Sequence, residues 1–142
     1  MEIGLTHTSK MTVTDDVTAI KIGSGDMPVL ATPAMMALME NAAMLAVKEM
    51  IPEGRTTVGG HIESSHLKPT PVGSEVEATA TLEKIDGRKL FFKVEAREGD
   101  TLIGEGTTPP SRTLAIARLR KGAVASQPTC GERSTCPSRC VL

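Results

Sequence analysis

Ala31-Thr32-Pro33-Ala34-Met35-Met36-Ala37-Leu38-Met39-Glu40-Asn41-Ala42-Ala43-Met44-Leu45-Ala46-Val47 is apolar at most positions and carries one carboxylate, Glu40, near its middle. Thr32 followed by Pro33 is a helix start, pairing a hydroxyl that can cap with a proline at the first helical position, where no amide donor is missed. Pro52 and Gly54 stop it, so a helix is expected from about Pro33 to Met50. At about 100° per residue, Met36, Glu40, Ala43, Met44 and Val47 share one face, and Met35, Leu38, Met39, Ala42 and Ala46 cover most of the remainder. A helix apolar all round is a buried helix.

Outside this segment the period is that of strands. Met11 to Ile22, rich in Val, Thr and Ile, suggests a first strand, broken by Gly23-Ser24-Gly25-Asp26. After the helix, Thr56 to Leu67 reads as a strand with the pair Gly59-Gly60 inside it, and Pro69, Pro71 and Gly73 make a turn. Glu75 to Ile85 alternates cleanly, with Val76, Ala78, Ala80 and Leu82 on one face. Asp86-Gly87 is a hairpin dipeptide, followed by return strands at Leu90–Ala96 and Thr101–Thr107. The order implies an α+β domain, an antiparallel five-stranded sheet wrapped round one long buried helix. Whatever face of the helix the sheet leaves open needs a cover, and a second subunit is the economical one.

A chain of 142 residues has room for one core. We expect the domain to span residues 1–110. Beyond Pro109-Pro110 the character changes: residues 111–142 hold six basic side chains and one acid, a net of +5, whereas the preceding part has a net of −6. Thr113 to Leu119 fits a short helix or strand, but from Lys121 the composition cannot offset ordering entropy, so residues 111–142 are expected to form a disordered basic tail. Cys130, Cys136 and Cys140 all lie there without a nearby histidine, a spacing unlike that of structural zinc sites, and no metal is expected. With no Trp, no Tyr and two Phe, the chain lacks the stacking platforms of single-stranded nucleic-acid binders. No apolar run reaches the ~20 residues that span a bilayer, and residues 1–10 lack a signal-peptide pattern, so a cytoplasmic location is expected.

Glu40 is the residue that asks for chemistry. A lone carboxylate near a core gains a partner, becomes protonated, or faces a wet cleft. The plain alternative is a surface-reaching side chain at the helix edge, paired with Lys48. Histidine is the natural companion: His61 and His66 point to opposite faces of a regular strand, and His66 stands at its end, before Lys68-Pro69. His7 lies in a segment expected to be frayed.

A strand, a buried helix opening with Ala31-Thr32-Pro33, and four strands carrying Ser64-Ser65-His66, Pro69-Thr70-Pro71-Val72-Gly73, Asp86-Gly87-Arg88-Lys89-Leu90 and Ile103-Gly104-Glu105-Gly106-Thr107 resemble the hot-dog fold thioesterases, and among them the fluoroacetyl-CoA thioesterase-like group. The resemblance spans roughly Met11 to Thr107. It implies Thr32, Glu40 and His66 as catalytic residues acting on an acyl-CoA thioester at a homodimer interface, with the Gly59 amide a donor to the thioester oxygen and Gly60 and Met36 beside the substrate. Such chemistry needs a base near neutral pH, a nucleophile or activated water, and an oxyanion donor. It needs no cofactor. Thr32 reads equally as a helix cap, and about 12 Å of helix separates it from Glu40, too far for contact. Ile22 to Leu30 lacks the phenylalanines with which the fluoroacetate-specific enzyme covers its pocket, so fluoroacetyl selectivity is not expected. The expected activity is hydrolysis of a small or medium acyl-CoA; the alternative is a non-catalytic hot-dog module that binds acyl-CoA as sensor or carrier.

Overall fold

The strongest alternation in the sequence becomes the centre of the sheet. In this computed structural model, which describes residues 2–107 and the backbone of 114–118, the strands are β1 (Thr6–Thr12), β2 (Arg55–Val58), β3 (Glu63–His66), β4 (Glu75–Asp86), β5 (Lys89–Glu98), β6 (Thr101–Thr107) and β7 (Leu114–Arg118). The helices are α1 (Ala19–Ile22) and α2 (Thr32–Val47), with single 3-10 turns at Asp15–Val17 and Lys48–Met50. All pairings are antiparallel, in the order β1-β4-β5-β6-β3, while β7 pairs with both β5 and β2. Since β6 and β7 both lie beside β5, and β3 and β2 lie beside them in turn, the seven segments occupy five strand positions, two of them interrupted.

The core lies between α2 and the sheet. Val76, Ala78, Ala80 and Leu82 of β4 and Leu90, Phe92, Val94 and Ala96 of β5 meet Met35, Leu38, Met39, Ala42, Ala43 and Val47 of the helix. Close approach has a further device in β6: a Cβ at Gly104 would stand 2.5 Å from Met35 Sδ, and one at Gly106 would collide with the Glu63 carbonyl. The two glycines let helix and β3 settle against the strand.

Four expectations are corrected. The first strand is Thr6–Thr12, not Met11–Ile22; it pairs with β4 along its whole length, so this end of the chain is not frayed. Ala19–Ile22 is helical because the Thr18 side chain accepts from the Lys21 amide at its start and Gly23, at φ 82°, ends it in the left-handed conformation. The single strand expected over Thr56–Leu67 is two, parted at residues 59–62, where the glycine pair lies. The helix is not covered on all sides: Ala37, Glu40 and Asn41 are exposed and Met36 and Met44 half-buried, so Glu40 lies on the open face, beside the end of β2.

The segment between α1 and α2 is closed at its base by backbone bonds from Ala19 N to Val29 O at 2.8 Å and Ala31 N to Val17 O at 2.9 Å, and tied to the following turn by Leu30 N to Thr70 O at 2.8 Å. Leu114–Arg118, left open as helix or strand, is a strand, so the sheet continues past residue 110. The expected disorder of the tail concerns residues that otherwise lie outside those described. Among the described residues no helix is long and apolar enough to cross a membrane.

Candidate active site

The cap of α2 is Ala31, not Thr32, and no side chain closes it. Thr32 is the first helical residue, followed by Pro33, and its hydroxyl is therefore free for another partner. Its Oγ1 lies 2.8 Å from Nδ1 of His66, the last residue of β3. The partner in reach of Thr32 is the histidine, across 34 residues of sequence, rather than the carboxylate on its own helix.

His66 is half-buried, and its Nε2 is buried without a hydrogen-bond partner among the described residues. Burial pushes its pKa below the ordinary 6.5, with the Lys68 backbone working weakly the other way. The ring is thus neutral at pH 7, with Nδ1 engaged by Thr32. If the hydroxyl accepts from Nδ1–H, Nε2 carries the free lone pair of a base. A cavity of about 270 Å³ adjoins the pair, walled by Ala19, Val29, Leu30 and Leu67.

Glu40 lies against Gly59. A Cβ at position 59 would fall 2.5 Å from Glu40 Oε1, so the carboxylate occupies space that only glycine leaves vacant. A second cavity of about 270 Å³, lined by Ala37, Glu40, Asn41, Met44, Thr57 and Gly59, opens here. Glu40 is exposed and has no ion pair among the described residues, so neither burial in the core nor pairing with Lys48 describes it.

The residues named from the sequence thus fall into two couples, Thr32 with His66 and Glu40 with Gly59, whose cavities share no lining residue. Gly60 is exposed and Met36 half-buried, and neither lines these two cavities. His61 points elsewhere, with Nε2 at 3.3 Å from Glu63 Oε1. No group of three or more His, Cys, Asp or Glu among the described residues can hold a metal ion. Sequence reasoning missed Ala19, Val29 and Leu30 as walls of the histidine's cavity, because it assigned the first of them to a strand.

The model of the family described as "Fluoroacetyl-CoA-specific thioesterase" matches residues 13–110. The fluoroacetyl-CoA thioesterase of Streptantibioticus cattleyicolor is 38% identical over 79 residues, 56% of this chain and 57% of that enzyme, so the match spans less than two thirds of the relative's length. A solved structure of the fluoroacetyl-CoA thioesterase FlK superposes with a TM-score of 0.77 at 30% identity, covering 85% of this chain and 91% of that one. A thioesterase superfamily member from Thermus thermophilus gives 0.73 at 28% identity, over 82% and 84% of the two chains. With a helix packed on an antiparallel sheet and a family match over most of the described residues, the chain has the hot-dog fold and belongs to the fluoroacetyl-CoA-specific thioesterase family.

Proposed function

We propose that this protein is an acyl-CoA thioesterase that hydrolyses a small or medium acyl-CoA to the free acid and CoA, acting as a homodimer in the cytoplasm. The observation that carries the reading is the Thr32–His66 hydrogen bond beside an open cavity. It sits in a chain whose family relatives are thioesterases.

The reaction consumes one water. An oxygen nucleophile attacks the thioester carbonyl carbon, the carbonyl oxygen takes up the negative charge, and collapse breaks the carbon–sulfur bond to release CoA thiolate, which is then protonated. His66 Nε2 takes the proton from the nucleophilic water, and Thr32 holds the ring in register for it. Glu40 acts at the same carbon, as direct nucleophile through an anhydride that water then opens, or as a second orienting group for the water. The Gly59 amide serves the oxyanion. Gly60 and Met36 flank the substrate in this reading, and neither a metal nor a cofactor takes part.

Thr32 and Glu40 lie about 12 Å apart along one helix, which favours a site assembled from the Thr32–His66 couple of one subunit and the Glu40–Gly59 couple of the other. Glu40's exposed face and the outer edge of β2 and β3 are the surfaces such a dimer would cover.

The test is thiol release from a panel of acyl-CoA esters by wild type, Glu40→Ala and His66→Ala. Turnover by wild type, with a fall of about 100-fold or more in each variant, is the expected result. Binding of CoA esters without thiol release would instead favour the carrier reading.

A further inference from the structure

The cavity beside Thr32 and His66 differs in character from the one beside Glu40. Ala19, Val29, Leu30, Leu67 and Pro69 give it apolar walls, with Ser24 and the Thr32–His66 pair polar and Lys68 the one charged lining residue. Its surroundings are apolar as well: of the exposed large hydrophobic side chains, Ile20, Ile22, Met27, Leu67 and Val72 all belong to the two segments that frame it. Apolar side chains gathered in this way around a concave polar pair mark a ligand groove. At about 30 Å³ per heavy atom, the liquid volume of a water, a space of about 270 Å³ has room for about nine, whereas an acetyl group has three. An acetyl group would leave most of it to water.

We propose that this groove receives the acyl chain, and that the enzyme selects neutral, apolar acyl groups of about four to eight carbons over acetyl. The assignment rests on the thioesterase reading above. Ala19 sets the depth, being a buried methyl in the wall, and Ile22 and Met27, exposed on the segment that supplies Ala19, Ser24 and Val29 to the wall, extend its apolar rim in this proposal.

The experiment measures kcat/KM for acetyl-, butyryl-, hexanoyl-, octanoyl- and succinyl-CoA, and in parallel the Kd of non-hydrolysable S-alkyl-CoA thioethers of the same lengths. The full chain is used, as wild type, Ala19→Leu and the surface variant Ile22→Ser/Met27→Ser. Both kcat/KM and affinity should rise about threefold to fourfold per methylene up to hexanoyl, the ratio that burying one methylene supplies. Ala19→Leu should lower hexanoyl and octanoyl by about tenfold or more while acetyl changes less than about twofold. The surface variant, which leaves the core alone, should flatten the slope, lowering hexanoyl and octanoyl more than acetyl. A flat or falling profile, a preference for succinyl, or an equal effect of the variants at every length would overturn the proposal. The thioether series decides it even if no ester is hydrolysed, an outcome that would overturn the thioesterase reading alone.

Discussion

Thr32 Oγ1 stands 2.8 Å from His66 Nδ1, leaving the buried Nε2 as the imidazole nitrogen without a protein partner among the described residues. In the proposed mechanism Thr32 orients His66 through its hydroxyl. Thr32→Ser should keep kcat within about threefold of wild type, whereas Thr32→Val, close in volume but without the hydroxyl, should lose about 10- to 100-fold in kcat. Steady-state kinetics with a saturating ester separates the two. Equal losses in both variants would mean that the methyl group, and hence packing, matters more than the hydrogen bond.

Burial holds the His66 pKa below 6.5, and the sign of its effect on stability follows. Between the folded value and 6.5 the unfolded chain binds the proton and the native chain resists it, so stability rises with pH across that window and is lost as pH falls through it. The acid limb of kcat/KM should lie below pH 6.5, with a plateau by about pH 7.5. Between pH 7.5 and 5, His66→Ala should lose less of its melting temperature than wild type does. An acid limb above pH 7 would contradict the assignment.

Gly59→Ala puts a methyl where Glu40 Oε1 lies. The contact is with the end of a flexible, exposed side chain, so the carboxylate can swing aside at little cost in stability. We expect kcat to fall by about tenfold or more while the melting temperature moves by less than about 2 °C. Differential scanning fluorimetry beside the thiol assay checks both.

The glycines of β6 predict the opposite pattern. Gly104→Ala drives a methyl toward Met35 Sδ, which can give way, and Gly106→Ala drives one into the Glu63 carbonyl, which cannot. Overpacking of this kind costs about 1–3 kcal/mol, a fall of about 3–12 °C in melting temperature, with Gly106→Ala the larger. Thermal unfolding of the two variants should rank them so.

If the site is shared between subunits, Glu40→Ala and His66→Ala should complement each other. Random mixing of the two inactive chains leaves half the dimers with one intact site, restoring about a quarter of wild-type activity. Refolding the chains together and assaying the mixture is sufficient. No recovery beyond the separate homodimers would place Glu40 and His66 in one subunit's site.

What the sequence disclosed follows from how local each signal is. The alternation of β4, the Asp86-Gly87 hairpin and the apolar repeat of α2 are carried by neighbours in the chain, and all three appear in the fold. β1 was hidden because its inner face carries His7 and Ser9 with a single apolar residue, Met11: Ser9, its one buried residue, donates to Asn41 Oδ1 at 2.8 Å, a partner 32 residues away. Thr32 looked like a cap because the cap signal is local and its bond to His66 is not. Glu40 looked buried because helical periodicity cannot say how far round a sheet will wrap. Thr32, His66, Glu40 and Gly59 were all visible as residues, but their division into two couples is a property of three dimensions.

The hydrogen bonds at Ala19–Val29 and Ala31–Val17 close the base of residues 20–28 and the bond from Leu30 to Thr70 ties that base to the body of the protein, while the loop itself makes no ladder of its own. Such a segment is an exchangeable cassette. Its length and side chains can be rewritten by grafting while the anchoring backbone stays as it is, so, if the groove beside it takes the acyl chain as proposed, substrate range can be evolved separately from stability.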